Sequence, residues 1–165
     1  RYNVKCTKGT VKHDVKINVW GCFAKHGVGR LYEVQGILKK EQYLEILAHQ
    51  MRPSAEALFP GGDFQFQEDN DPKHTAKVVK KWYIDHGINR MDWPAQSPDL
   101  NPIENLWSIL DCQLRERRVT NLQELFACLQ EGWNQISNEM LTSLVDSMPR
   151  RCQAVIDANG FATKY

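Results

Sequence analysis

The stretch FQFQEDNDPKHTAKVVKKW, residues 64–82, decides how this chain is read. Its first six residues alternate, with Phe64 and Phe66 on one face, which predicts a short strand ending in acidic residues. Asn70-Asp71-Pro72 then predicts a turn. From about Thr75 to His86 the period becomes helical. Val79, Trp82 and Tyr83 form the apolar face, and Gly87 is the stop. Asp69 therefore falls at the carboxyl end of a strand, where α/β sheets collect ligand and metal sites.

Working outward, INRMDW (88–93) predicts another strand, and PAQSPDLNP (94–102) must be a loop because it holds three prolines. Helices are predicted over about 102–117, 121–136, 139–147 and 149–158, the last ended by Asn159-Gly160. Upstream, VKINVWGCF (15–23) and RLYEVQG (30–36) read as a hairpin joined by a KHGVGR turn. A helix follows from Lys40, with Tyr43, Leu44, Leu47 and Met51 at helical spacing. Pro53 is expected to interrupt it, with Ser54 capping a short continuation to Phe59 before the PGGD turn (60–63). The order predicts one α/β domain with helices gathered at the carboxyl end.

Composition excludes several classes. The 165 residues are 42% hydrophobic and 25% charged, ordinary for a globular chain and unlike a disordered or fibrous one. No run of 18 apolar residues offers a membrane span. Twenty-one basic against twenty acidic residues leave a net charge of +1, so a polyanion partner has to be met by local patches. The five cysteines form no CxxC pair, which predicts reduced, mostly buried thiols and a reducing compartment.

Two acids stand out. A hard cation such as Mg²⁺ needs carboxylate oxygens converging from different elements, and a strand-end Asp69 with a first-turn Glu104 meets that need. Each has a simpler reading. Asp69 can be a turn acid of the Asp-Asn-Asp cluster, and Glu104 can close a capping box with Asn101 ahead of Pro102. His74 reads either as a helix-start histidine or as a group near a phosphate. Lys73, Lys77, Lys80 and Lys81 follow the first acid, and Arg115, Arg117 and Arg118 follow the second, with Arg150-Arg151 further on. Such runs are solvated helix faces or, beside metal-holding acids, contacts to nucleic-acid phosphates.

FQEDNDPKHTAKVVKKW (66–82) and DWPAQSPDLNPIENLW (92–107) resemble the DDE transposases of the mariner superfamily, on the Sleeping Beauty side. VWGCF (19–23), GILKKEQYLEIL (36–47) and NGFATKY (159–165) match as well, so the resemblance covers essentially the whole chain. It implies an RNase H-like fold, a five-stranded mixed sheet flanked by helices. It implies that Asp69, before Asn-x-Pro-x-His, and Glu104, after SPDLNPI, are catalytic metal ligands, with 34 residues between them. The implied cofactor is Mg²⁺, with Mn²⁺ as substitute. The implied partners are transposon-end DNA, a TA target site and further copies of the protein, with no membrane, in the nucleus.

The chain departs from the family at one point. The family's first catalytic Asp lies on the first, central strand of the sheet, upstream of the region that begins here. Asp14, in KHDVK, matches a glycine-rich strip, and Asp63 belongs to the PGGD turn. The expectation is a catalytic domain over 1–165 lacking that Asp, its strand and the amino-terminal helix-turn-helix region. The isolated chain is then expected to be inactive. It is either part of a longer transposase or a decayed or domesticated, non-catalytic DNA- or protein-binding module. A structure-specific nuclease is a third reading, which the SPDLNPIENLW block disfavours.

Overall fold

Gly29 stands where a Cβ would lie 2.5 Å from Cys22 Sγ and 2.8 Å from Ser54 Cβ. That close approach explains the first difference from the sequence reading. In the computed structural model, which describes residues 15–94, 97–115 and 117–165, the turn contracts to Lys25-His26. Strand β1 is Asn18–Ala24 and strand β2 is Gly27–Val34, so Gly27 and Gly29 are strand residues rather than turn residues. Gly29 admits the close crossing of a helix, and Ser54 Oγ accepts the Arg30 N–H at 2.9 Å. Cys6 and Asp14 lie outside the described residues.

The chain packs as two compact units. The sheet unit holds Val19–Ala24 and Val28–Ser97. Its helix α1 (Lys40–Ile46) does not break at Pro53. A π-helical turn over Leu47–Met51 passes directly into α2 (Arg52–Leu58). The wider turn absorbs the proline, which sits in the first turn of α2 where its missing N–H costs little. Ser54 is therefore buried inside the helix, donating to the Gln50 carbonyl at 2.7 Å, and is not the predicted cap. Tyr43, Leu47 and Met51 form one buried stripe against Val79 and Tyr83 of α3 (Lys77–Asp85), as their periods predict.

The expected strands at 64–69 and 88–93 contract to a single parallel bridge, Phe66 to Arg90. Phe66 N–H donates to Asn89 and Met91 N–H donates to Phe66, both at 2.8 Å. Beyond the bridge, side chains take over the pairing. Asn70 Nδ2 donates to the Trp93 carbonyl and Arg90 Nε donates to Glu68 at 2.6 Å. The Asn70 bond takes a backbone carbonyl that a ladder would use, whereas Arg90 and Glu68 join side chain to side chain. Among the described residues, the implied five-stranded mixed sheet is represented by the β1–β2 hairpin and this bridge.

The helical unit includes Pro98–Tyr165. A 3₁₀ turn, Pro98–Leu100, leads to α4 (Ile103–Arg115), α5 (Leu122–Asn134), α6 (Asn138–Asp146) and α7 (Met148–Asp157). These four match the predicted helices within about two residues at each end. Asn121 caps α5 by accepting the Glu124 N–H at 2.9 Å, and Ser137 caps α6 by accepting the Met140 N–H at 3.3 Å. Leu106 and Leu110 of α4 and Leu125, Leu129 and Trp133 of α5 are buried. Trp107 stacks on Trp133 at 5.2 Å between centroids. Gly132 lets the helices approach, since a Cβ there would lie 2.8 Å from Leu110 Cδ2.

Cys22, Cys128 and Cys152 are free thiols. Cys152 is exposed and Cys22 is half-buried beneath Gly29. Burial pushes the Cys22 thiol up to about 11, against a smaller opposing hydrogen bond with Ser54. At pH 8 Cys152 should therefore react with iodoacetamide well before Cys22, because only the thiolate attacks. Mass-mapped alkylation checks this, and equal rates would contradict the packing at Gly29.

Candidate active site

The alternation of the FQFQED segment decides the fate of its two acids. Phe64, Phe66 and Glu68 share a face, so Glu68 turns inward and is buried. Asp69 turns outward, with 58% of its side chain exposed. The sequence reading took up only Asp69. Glu68 was legible from the same period, as an acid on the apolar face.

Glu68 is fully engaged. Tyr43 Oη donates to Oε2 and Arg90 Nε donates to Oε1 at 2.6 Å. Burial, and then the Glu68 carboxylate, push the Tyr43 and Tyr83 hydroxyls well above the ordinary phenol range. The pair is desolvated on both sides, so Glu68→Ala should cost about 3–5 kcal/mol by leaving Arg90 uncompensated. Urea unfolding measures it, and a loss below about 1 kcal/mol would contradict the network.

Asp69 is oriented through one oxygen. Its Oδ1 lies 2.7 Å from His74 Nδ1 and accepts the Asp71 N–H at 3.1 Å. The His74 ring stacks on Tyr43 at 4.2 Å, which locks the imidazole. Oδ2 has no hydrogen-bond partner among the described residues. Asp69 thus does close a turn, as its simpler reading proposed, and still presents a free oxygen. Asp71 bonds to Lys73 instead, accepting its N–H at 3.0 Å and its ammonium. Burial opposes ionisation of Asp71, but the Lys73 contacts outweigh it and hold the carboxyl below its usual range.

Glu104 lies in the helical unit, exposed in the first turn of α4. Backbone carbonyls close that turn: Asn101 accepts from Glu104 N–H and Pro102 from Asn105 N–H, both at 3.2 Å. Leu100 and Pro102 are buried and anchor the approach. Among the described residues, no three His, Cys, Asp or Glu side chains come together as a ready cation cage.

The basic residues divide. Lys73 is tied to Asp71, Lys81 to Asp85 at 2.7 Å, Arg115 to Asp111 and Arg117 to Glu131. His74 is committed to Asp69. Lys77, Lys80 and Arg118 are exposed with no ion pair among the described residues. Arg150 is exposed, but Arg151 is buried, so the two do not form a surface pair.

A family model described as a DDE superfamily endonuclease matches residues 5–126. The chain belongs to this family. Among curated proteins, this DDE endonuclease chain is 47% identical over 166 aligned residues to the transposable element Tc1 transposase of Caenorhabditis elegans. It is 45% identical over 157 to the Tcb2 transposase of Caenorhabditis briggsae. All of the chain aligns in the first case and 94% in the second, covering 60% and 57% of those relatives, so it spans rather more than half their length. The Mos1 mariner transposase catalytic domain superposes with a TM-score of 0.78 at 18% identity, over 90% of this chain and 82% of that one. That likeness establishes the RNase H-like fold. Other Mos1 structures with the same fold include the catalytic domain with Mn, the catalytic domain with Mg and a paired-end complex. No helix among the described residues is long and apolar enough to cross a membrane.

Proposed function

We propose that this chain is the catalytic region of a metal-dependent DNA transposase, with Asp69 and Glu104 as metal ligands. The observation that carries the proposal is the divided carboxylate of Asp69. Oδ1 is held by His74 and a backbone N–H while Oδ2 is left open. A ligating carboxylate is oriented in this way by partners that do not themselves bind the ion. The donor set fits a hard divalent cation, since both acids offer oxygen and both are exposed. Bound Mg²⁺, or Mn²⁺ in its place, would activate the attacking oxygen and stabilise the leaving 3′ oxygen.

The chain's own residues do the rest. Glu68, Tyr43 and Arg90 fix the wall behind Asp69, and His74 keeps Asp69 aimed outward. Lys77, Lys80 and Arg118 are the cations left open to DNA phosphates. The reaction is hydrolytic cutting of transposon ends, followed by attack of the freed 3′-hydroxyl on a TA target, by several copies of the protein in the nucleus. Of the three carboxylates, this chain supplies two by motif. Cleavage is therefore expected from a protein in which a third accompanies them and not from the 165 residues alone. The test is nicking of a labelled transposon-end duplex by the longer protein with and without Mg²⁺. Cleavage that survives chelation, or cleavage by the 165 residues alone, would overturn the proposal.

A further inference from the structure

Arg151 lies in the first turn of α7, where the sequence suggests one half of a surface cation pair. It is instead only 3% exposed. Its Nε donates to Ser147 Oγ at 2.8 Å, Nη1 to the Asp99 carbonyl at 3.0 Å, and Nη2 to Asn105 Oδ1 at 2.6 Å. The guanidinium carbon lies 5.0 Å from the centre of the Tyr165 ring. Asp99 is gripped a second time, its Oδ2 accepting the Thr163 N–H at 3.2 Å.

A buried guanidinium is costly unless its donors are satisfied. Among the described residues Arg151 has no direct ion pair with a carboxylate. What it has is a planar fork joining two points, Asp99 and Asn105, on either side of Glu104. A lysine ammonium offers no such fork. The Ser147 bond lies within the first turn of α7 itself, so the two long-range bonds are what tie α7 to the segment around Glu104.

We propose that Arg151 is a positioning residue for Glu104, setting the register between the 3₁₀ turn and the first turn of α4. Tyr165 and Thr163 close the clamp from the carboxyl-terminal segment. The proposal rests on the reading of Glu104 as a metal ligand.

The test uses the 165-residue chain with Mn²⁺ as probe. Paramagnetic broadening of the Ile103–Leu106 amides and their hydrogen exchange are read by NMR. Arg151→Lys should require about tenfold more Mn²⁺ for the same broadening, the usual effect of removing an outer partner. The same amides should exchange faster, with α5 unchanged. In a Glu104→Gln background the titration should need more Mn²⁺ than in the unaltered chain, and Arg151→Lys should shift it no further. If Arg151→Lys titrates and exchanges like the unaltered chain, the proposal falls while the reading of Glu104 stands. If Glu104→Gln titrates like the unaltered chain, that reading falls, and the proposal with it. Should Arg151→Lys unfold α7, Asn105→Ala removes one tine of the fork and must show the same two shifts, and a null result there overturns the proposal.

Discussion

In a protein that joins this chain to a third carboxylate, Asp69→Asn is expected to lower end cleavage by about 10³-fold or more, with folding unchanged. Metal-assisted stabilisation of developing charge supplies several kcal/mol, and each 1.4 kcal/mol is tenfold in rate. The substitution preserves shape and the acceptor for the Asp71 N–H, and the side chain is largely exposed, so stability has little to lose. A gel assay of nicked product, beside a thermal melt, separates the two effects. Cleavage within about tenfold of the unaltered protein would remove Asp69 from the metal site. Glu104→Gln should behave in parallel, since both acids are assigned as metal ligands.

Trp133→Ala is expected to give the largest loss of stability in the helical unit. Trp133 is fully buried, stacks on Trp107, and lies in the α4–α5 contact that Gly132 makes possible. Large-to-small substitution of a buried tryptophan costs about 3–5 kcal/mol, and an aromatic pair adds about 1 kcal/mol. The melting temperature should fall by roughly 10 °C, at about 2–4 °C per kcal/mol for a chain of this size. A loss below about 1 kcal/mol, measured by urea unfolding, would mean that the core does not close around this ring. Glu68→Ala probes the sheet unit by the same unfolding measurement.

Much of this fold was legible because its helices are amphipathic. The stripes Tyr43-Leu47-Met51, Val79-Tyr83 and Leu125-Leu129-Trp133 follow helical spacing and are buried as their period requires. Pro53 misled because a π-turn upstream absorbs it, and spacing alone does not show a widened turn. The strands near Phe66 and Arg90 contract to one bridge, and beyond it the Asn70 side chain takes the Trp93 carbonyl that a ladder would use. Asp69 and Glu104 were marked by their motifs, whereas their supports were not. Glu68 belongs to no motif, although alternation with Phe66 turns it inward. Arg151 looked like a surface cation, since its partners Asp99 and Asn105 lie some fifty residues earlier. Long-range pairing of that kind leaves no local period to read.

The most direct measurement is an anomalous difference map from crystals of the protein soaked in Mn²⁺. The account predicts manganese density at the outward oxygen of Asp69, with His74 still holding the other Asp69 oxygen, and at the Glu104 carboxylate. A well-ordered map in which neither carboxylate touches a peak would contradict it.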